Sequence, residues 1–347
     1  MAFEWGNPEE MTLLDDMFAH ADRWGRQAVK RGVTALANRH RPGDANDLLI
    51  LASPRSGSTW LMELIYTQPG VKYIDEPLAK HILDAEGIFP LETRWRYIDL
   101  DGPAKKALTG YLKNDRRVRR FGPRNVWAEE YDYTTDRRVL KLIRACALLP
   151  WFAEEGSFDV IYLMRHPIAQ ALSAMRRGHA HHLAAYVAAR PPEAYSEAAR
   201  ARLGAVDATS ADLETFAAAW CLENAGPLQY VASPPETNVF VLTYEELVLN
   251  PEVVLQKLAA TLHLDRPDRM MQQVTTPSAV TDSTARRTKD RIRKGDRSYL
   301  VRKWKDQISE AQEDEVFSLL DAFGIDAYRP GRLVAAERFL HGEQRSA

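Results

Sequence analysis

Seven consecutive residues, Pro54, Arg55, Ser56, Gly57, Ser58, Thr59 and Trp60, carry the densest set of chemically able groups in this chain. They stand between a short apolar run, Leu48 to Leu51, and an apolar pattern at Leu61, Met62, Leu64 and Ile65. The first run suits a parallel strand buried on both faces and the second a helix, so the sequence predicts strand, loop, helix. Backbone N–H groups at such a helix start lack intrahelical partners and point one way, in the field of the helix dipole, which makes an anion site. Ser56, Ser58 and Thr59 can donate to phosphate oxygens, Arg55 adds a permanent charge, and Gly57 lets the backbone approach closely. The expected ligand is a phosphate ester. The stretch has no first glycine and no lysine before its hydroxyl pair, so it is not a nucleoside-triphosphatase loop, and ATP hydrolysis is disfavoured.

Other chemistry falls at the ends of predicted strands, where open parallel sheets bind their ligands. Glu76 closes a second strand, Val71 to Asp75, and Pro77 fixes the chain direction after it. Lys141 lies in a third, Arg138 to Ile143, either reaching solvent or facing a ligand. Arg165 ends a fourth, Phe158 to Met164, and Ser173 follows about two turns into the helical run 168–177. That pair can bracket one anion; alternatively Arg165 pairs with a carboxylate and Ser173 is a small helix residue. Tyr244 ends a fifth strand, 238–243, before Asn250 and Pro251 open a helix through Leu262. A basic run from Arg286 to Gly295 includes Arg293, Lys294 and Gly295. His179, His181 and His182 have no cysteine or carboxylate at zinc-like spacing; they are expected to face solvent, and no metal is expected.

Strands alternating with helices imply an α/β fold, a doubly wound parallel sheet with a P-loop-like phosphate loop and helical insertions. The expected organisation is a helical extension over 1–46, a single α/β domain over 47–330 and a polar tail over 331–347. Residues 79–137 are irregular; Arg116, Arg117, Arg119 and Arg120 there form either a solvated helix face or a contact surface for an acidic substrate. The Ala-rich stretch 183–212 predicts mobile helices covering the site. With 46 basic and 48 acidic residues, the net charge of −2 does not indicate a nucleic-acid partner. Cys146 and Cys221 fit buried free thiols in a reducing compartment. Met1 to His20 lacks a signal-peptide core and no stretch is apolar enough to span a membrane, so a cytoplasmic protein is expected. The sequence does not indicate an oligomeric state.

Pro54 to Trp60 resembles the 5′-phosphosulfate loop of the sulfotransferase family, which binds 3′-phosphoadenosine 5′-phosphosulfate (PAPS). The spacing of Arg165 and Ser173 resembles the family pair that holds the 3′-phosphate, and Tyr244 through Pro251 resembles its strand-end tyrosine followed by Asn-Pro. Arg293-Lys-Gly295 matches the family's Arg-Lys-Gly in part: Asp296 follows at once and Trp304-Lys305 comes only later. Which of Arg286, Arg287, Arg291 and Arg293 touches the nucleotide stays open. The resemblance, spanning residues 48 to 305, implies a PAPS-dependent sulfotransferase acting on a hydroxyl or amine without a metal. It places Lys141 on the sulfonyl oxygens, Trp60 near the adenine and Tyr244 by the cofactor. Ile143 occupies the position where aryl and steroid members carry a catalytic histidine, whereas Asp75-Glu-Pro-Leu78 resembles the Glu-Pro-Leu of carbohydrate sulfotransferases. The acceptor expectation is therefore a sugar hydroxyl or another small-molecule natural product, with Glu76 as general base. The alternatives are a non-catalytic binder of 3′,5′-bisphosphate nucleotides and a small-molecule P-loop kinase.

Overall fold

Leu48 to Leu51 are fully buried, and they divide between two cores. Leu49 and Leu51 face one apolar layer while Leu48, Ile50 and Ala52 face the other, the alternation of a strand covered on both sides. The computed structural model describes residues 39–40, 42–79, 102–113, 134–188, 194–232, 239–278 and 286–340. Its strands are β1 (Arg39–His40), β2 (Asp47–Ala52), β3 (Val71–Asp75), β4 (Thr134–Thr135), β5 (Arg137–Ile143), β6 (Phe158–Met164) and β7 (Val239–Thr243). The main sheet is wholly parallel in the order β3-β5-β2-β6-β7, and β1 and β4 form a separate two-residue pair. The chain thus starts at the central strand, winds to one edge and then crosses to the other. The expected doubly wound α/β fold is the observed one, and its switch of direction lies at the carboxyl end of β2.

Helices fill both faces. In chain order they are α1 (Ser58–Ile65), α2 (Gly102–Lys113), α3 (Leu149–Glu155), α4 (Pro167–Met175), α5 (Leu183–Ala188), α6 (Glu197–Ala205) and α7 (Leu213–Ala232). There follow α8 (Tyr244–Leu249), α9 (Pro251–Leu262), α10 (Pro267–Gln273), α11 (Arg286–Arg293), α12 (Arg297–Arg302) and α13 (Glu310–Ala322). Buried residues of α1, α9 and α10 make one layer; those of α3, α4, α7 and α13 make the other. At the amino ends of the strands, Arg138 donates from Nε to Asp47 Oδ2 (2.9 Å), which ties β5 to β2.

α5 and α6, where the sequence predicts a mobile cover, pack on α7 and α13 through buried Leu183, Tyr186 and Ala199. Residues 331–340, which the sequence assigns to a polar tail, pack here through buried Ala335 and Phe339. Cys146 and Cys221 are buried free thiols. Of the expected helical extension over 1–46, residues 1–38 and 41 lie outside the described residues and 39–40 form β1; the basic cluster at 116–120 also lies outside the described residues. Among the described residues no helix is long and apolar enough to cross a membrane.

Candidate active site

β2 hands the chain to a loop with two left-handed residues, Arg55 (φ 70°) and Gly57 (φ 97°). The Ser56 N–H donates to Ser53 O (3.3 Å) to close the turn, and the Leu61 N–H to Gly57 O (3.1 Å) begins α1. A Cβ on residue 57 would lie 2.5 Å from Cδ2 of Tyr244, so both backbone conformation and space require glycine. The loop and the first turn of α1 border a cavity of about 740 Å³, whose wall includes Arg55, Gly57, Ser58, Thr59, Trp60, Arg165, Ser173 and Tyr244. Arg55 and Tyr244, 189 positions apart in the sequence, therefore meet at one opening.

The sheet determines this meeting. Arg165 follows β6 directly and is only 8% exposed. Its Nη1 donates to Arg55 O (2.9 Å) and its guanidinium carbon lies 4.3 Å from the Tyr244 ring centroid. Arg55 in turn donates from Nε to Ser173 Oγ (3.3 Å) on α4. Trp60 meets Tyr244 edge to face, with centroids 6.0 Å apart. Two buried polar atoms here, Nε of Arg165 and Oγ of Ser56, have no hydrogen-bond partner among the described residues.

Lys141 is paired in register with Asp75 of β3 and Ile50 of β2. Its side chain is 3% exposed, so it does not reach solvent. Nζ donates to Thr59 Oγ1 (2.8 Å) and stands 2.6 Å from Asp75 Oδ1 and 3.1 Å from Glu76 Oε1. Glu76 is the first residue beyond β3; its N–H donates to Lys141 O (3.0 Å) and its side chain keeps 36% of its surface exposed. Arg55, Glu76 and Arg144 all adopt positive φ (70°, 50° and 65°) just past the ends of three neighbouring strands. Non-glycine residues held in that region cost energy and cluster at functional sites.

Four cations that the sequence analysis missed complete the wall: Arg176, Arg177, Arg297 and Lys303. The first two were within reach, since they follow Ser173 by three and four residues and so share its helix face. Lys303 had no local signal. Burial lowers its pKa to about 8, reinforced by repulsion from Arg165, Arg176 and Arg55. Arg176 is also lowered by burial and by Arg165. Of the three histidines expected to face solvent, His179 is exposed, whereas His181 and His182 are half-buried and His181 packs on Phe216; at His179 burial lowers the pKa, then Arg55, Arg144 and Arg177, with Glu76 opposing.

The Arg-Lys-Gly stretch is placed differently from the rest. α11 continues through Arg293, and its cavity face runs through Thr288, Ile292 and Gly295, at helical spacing. Arg293 and Lys294 fall on the exposed side, off the cavity wall, and Arg293 lies 3.8 Å from Asp290. Arg291 donates to Asp296 Oδ2 (2.5 Å). The side chains of Arg286 and Arg287 lie outside the described residues. Among the described residues no group of three or more His, Cys, Asp and Glu side chains could hold a metal ion.

A loop of small polar residues at the switch point, a buried arginine at the neighbouring strand end and further cations gather around one cavity. The sequence profile described as "Sulfotransferase domain" matches residues 45–321, a span that contains every one of these groups. The chain belongs to the sulfotransferase domain family. No curated protein matches this sulfotransferase domain. Solved structures similar to it include the sulfotransferase domain of the Synechococcus PCC 7002 olefin synthase, at 18% identity over 83% of this chain and 99% of that one, with a TM-score of 0.43. The sulfotransferase domain from the curacin biosynthetic pathway is 18% identical over 81% and 98%, with a TM-score of 0.43. Mouse sulfotransferase SULT7A1, complexed with PAP, is 14% identical over 83% and 87%, with a TM-score of 0.40.

Proposed function

We propose that this sulfotransferase transfers a sulfuryl group from PAPS to a hydroxyl, or an amine, of a carbohydrate-like or other small-molecule natural-product acceptor. The observation that carries the reading is the convergence of Arg55, Arg165, Arg176 and Lys303 on one cavity beside the loop amides. Burial first, and then the charges of Arg165, Arg176 and Arg55, lower the pKa of the lysine; an anion of high charge stabilises cations so placed, and a nucleotide with phosphates at both ends supplies it. The Nε of Arg165, without a partner among the described residues and belonging to a residue of the cavity wall, fits such a ligand. Arg165 and Ser173 would hold the 3′-phosphate, with Arg176, Arg177 and Lys303 in support. The amides and hydroxyls of 56–59 would hold the phosphosulfate end, and Trp60 and Tyr244 would flank the adenosine.

PAPS supplies the sulfuryl group, and the protein stabilises the charge that develops on the leaving phosphate. Arg55, the loop amides and Lys141, joined to the loop through Thr59, are the donors for that charge. Glu76 takes the acceptor proton: it stands at the end of β3 beside Lys141 and retains access to solvent. A second base is favoured by one observation, the exposed position of His179 near Arg55, Arg177 and Glu76, with its pKa lowered by burial.

The test incubates the protein with PAPS and matched panels of glycosides and phenols, and measures adenosine 3′,5′-bisphosphate (PAP) by chromatography. Acceptor-dependent PAP release, greater with glycosides, is expected. Tight PAP binding without turnover on any acceptor points to a nucleotide sensor, and ADP formation from ATP to a kinase.

A further inference from the structure

Beneath the phosphate loop lies a buried polar network that the mechanism above does not use. α7 is buried on nearly all sides from Leu213 to Leu228 and is mostly apolar there, yet at mid-length it carries Glu223 and Asn224, 5% and 1% exposed. A carboxylate and an amide in such a setting need partners. Asn224 donates from Nδ2 to Ser53 Oγ (3.0 Å) and to Trp220 O (2.8 Å), and its Oδ1 accepts from the Tyr162 hydroxyl (2.7 Å) on β6. Glu223 accepts from the Tyr186 hydroxyl (2.6 Å) on α5. Ser53, the first residue of the loop, is 2% exposed, and its hydroxyl also acts on Glu223, opposing the rise of its pKa. The network therefore runs from α5 through α7 to the residue at which β2 becomes the phosphate loop.

Resting on the nucleotide reading, we propose that Glu223 and Asn224 are positioning residues of the phosphate loop, fixing Ser53 from inside the protein so that the 54–59 amides are set before ligand arrives. The loop needs such support because Arg55 and Gly57 both hold left-handed backbone, and strained conformations persist only where the surroundings over-determine them. Its other braces include Arg165 on Arg55 O, Arg55 on Ser173, Lys141 on Thr59 and the Tyr244 ring against Gly57. Three of these are made by cations that an anionic ligand competes for, and the Tyr244 ring borders the ligand cavity. The Ser53 anchor faces no ligand. Burial raises the pKa of Glu223, while bonds from Ser53 and Tyr186 and the charge of Arg144 oppose that rise, as a held carboxylate requires.

Two ligands separate this role from general support: PAP, which uses both ends of the site, and adenosine 3′-monophosphate, which lacks the 5′-phosphate. In calorimetry with the full chain, Ser53→Ala and Glu223→Leu should each weaken PAP about tenfold or more and leave adenosine 3′-monophosphate within about twofold. Glu223→Gln, which keeps the acceptor oxygen, should restore PAP binding to within about threefold. Hydrogen exchange of the ligand-free variants should quicken in residues 54–59 and not at 165–173. Should Glu223→Leu fail to fold, the smaller Ser53→Ala change carries the test. Equal weakening of both nucleotides, or unchanged exchange in 54–59, overturns the proposal. A wild type that prefers neither nucleotide sinks the PAPS reading instead, and the exchange result still decides the role of the network.

Discussion

The loop at 53–60 and the basic stretch at 286–297 both carry sulfotransferase-like motifs, and the fold treats them in opposite ways. In the loop, Arg55, Gly57 and Thr59 are each constrained by a buried or packed partner, because the loop sits where the central strand meets two neighbours. In the basic stretch, Arg293 and Lys294 lie on the outer side of a short helix, and the cavity is bordered instead by Thr288, Ile292, Gly295 and Arg297. A motif fixed by a strand end specifies direction as well as residue type. A motif on a charged helix specifies residue type only, and the helix face decides which side chains meet ligand.

The comparison is sharpened most by Glu76, at a strand end. Glu76→Gln keeps size and hydrogen bonding but takes no proton, so turnover should fall roughly 10²- to 10⁴-fold with PAP affinity nearly unchanged. Turnover within a few-fold of wild type transfers the base role to His179, and a His179→Gln variant then shows the larger loss. Next in size is a pair of arginines, one from each region. Arg165→Ala removes a charge-assisted contact worth about 1.5 to 3 kcal/mol, a loss in PAP affinity of about 10- to 150-fold. Arg293→Ala, from the exposed face, should change it less than about threefold; the reverse ranking by calorimetry would break the contrast.

Lys303 gives the third effect, through pH. Its pKa is about 8 in the ligand-free fold, depressed first by burial and then by Arg165, Arg176 and Arg55. A bound anion favours the charged form, so above pH 8 binding takes up a proton and PAP affinity declines, by up to about tenfold per pH unit. The ligand-free fold responds with the opposite sign. The unfolded chain, with its lysine near 10.4, binds the extra proton between about pH 8 and 10, so this group's contribution to stability rises across that window. Lys303→Met should flatten the affinity profile, and an unchanged slope would remove Lys303 from the site. The smallest effect is at Trp60, where Trp60→Ala should cost about 1 kcal/mol of nucleotide affinity and leave the saturated rate intact. A collapsed melting temperature would make Trp60 core instead.

These effects track what the sequence could disclose. Continuous apolar runs ending in Ser53, Glu76 and Arg165 identified the strands and their carboxyl ends, and with them the doubly wound sheet; β3 and β6 have the predicted limits. Ser173 was legible through the resemblance of its spacing from Arg165 to the family pair, and the helix repeat that starts at Ser173 extends to Arg176 and Arg177. Lys303 was not, since it reaches the cavity only through the packing of α12 beside α8. Glu223 resembles an ordinary helical glutamate until Tyr186 and Ser53, distant in sequence, close around it. Arg293 matched a motif by residue type, and the helix turned it outward.

The central claim is that the cavity recognises both ends of a 3′,5′-bisphosphate nucleotide, and calorimetry of the wild-type protein with PAP and with AMP tests it most directly. The account predicts that PAP binds about 10- to 150-fold more tightly, the difference supplied by charge-assisted contacts to the 3′-phosphate from Arg165 and its neighbours. Equal affinity for the two nucleotides would contradict it.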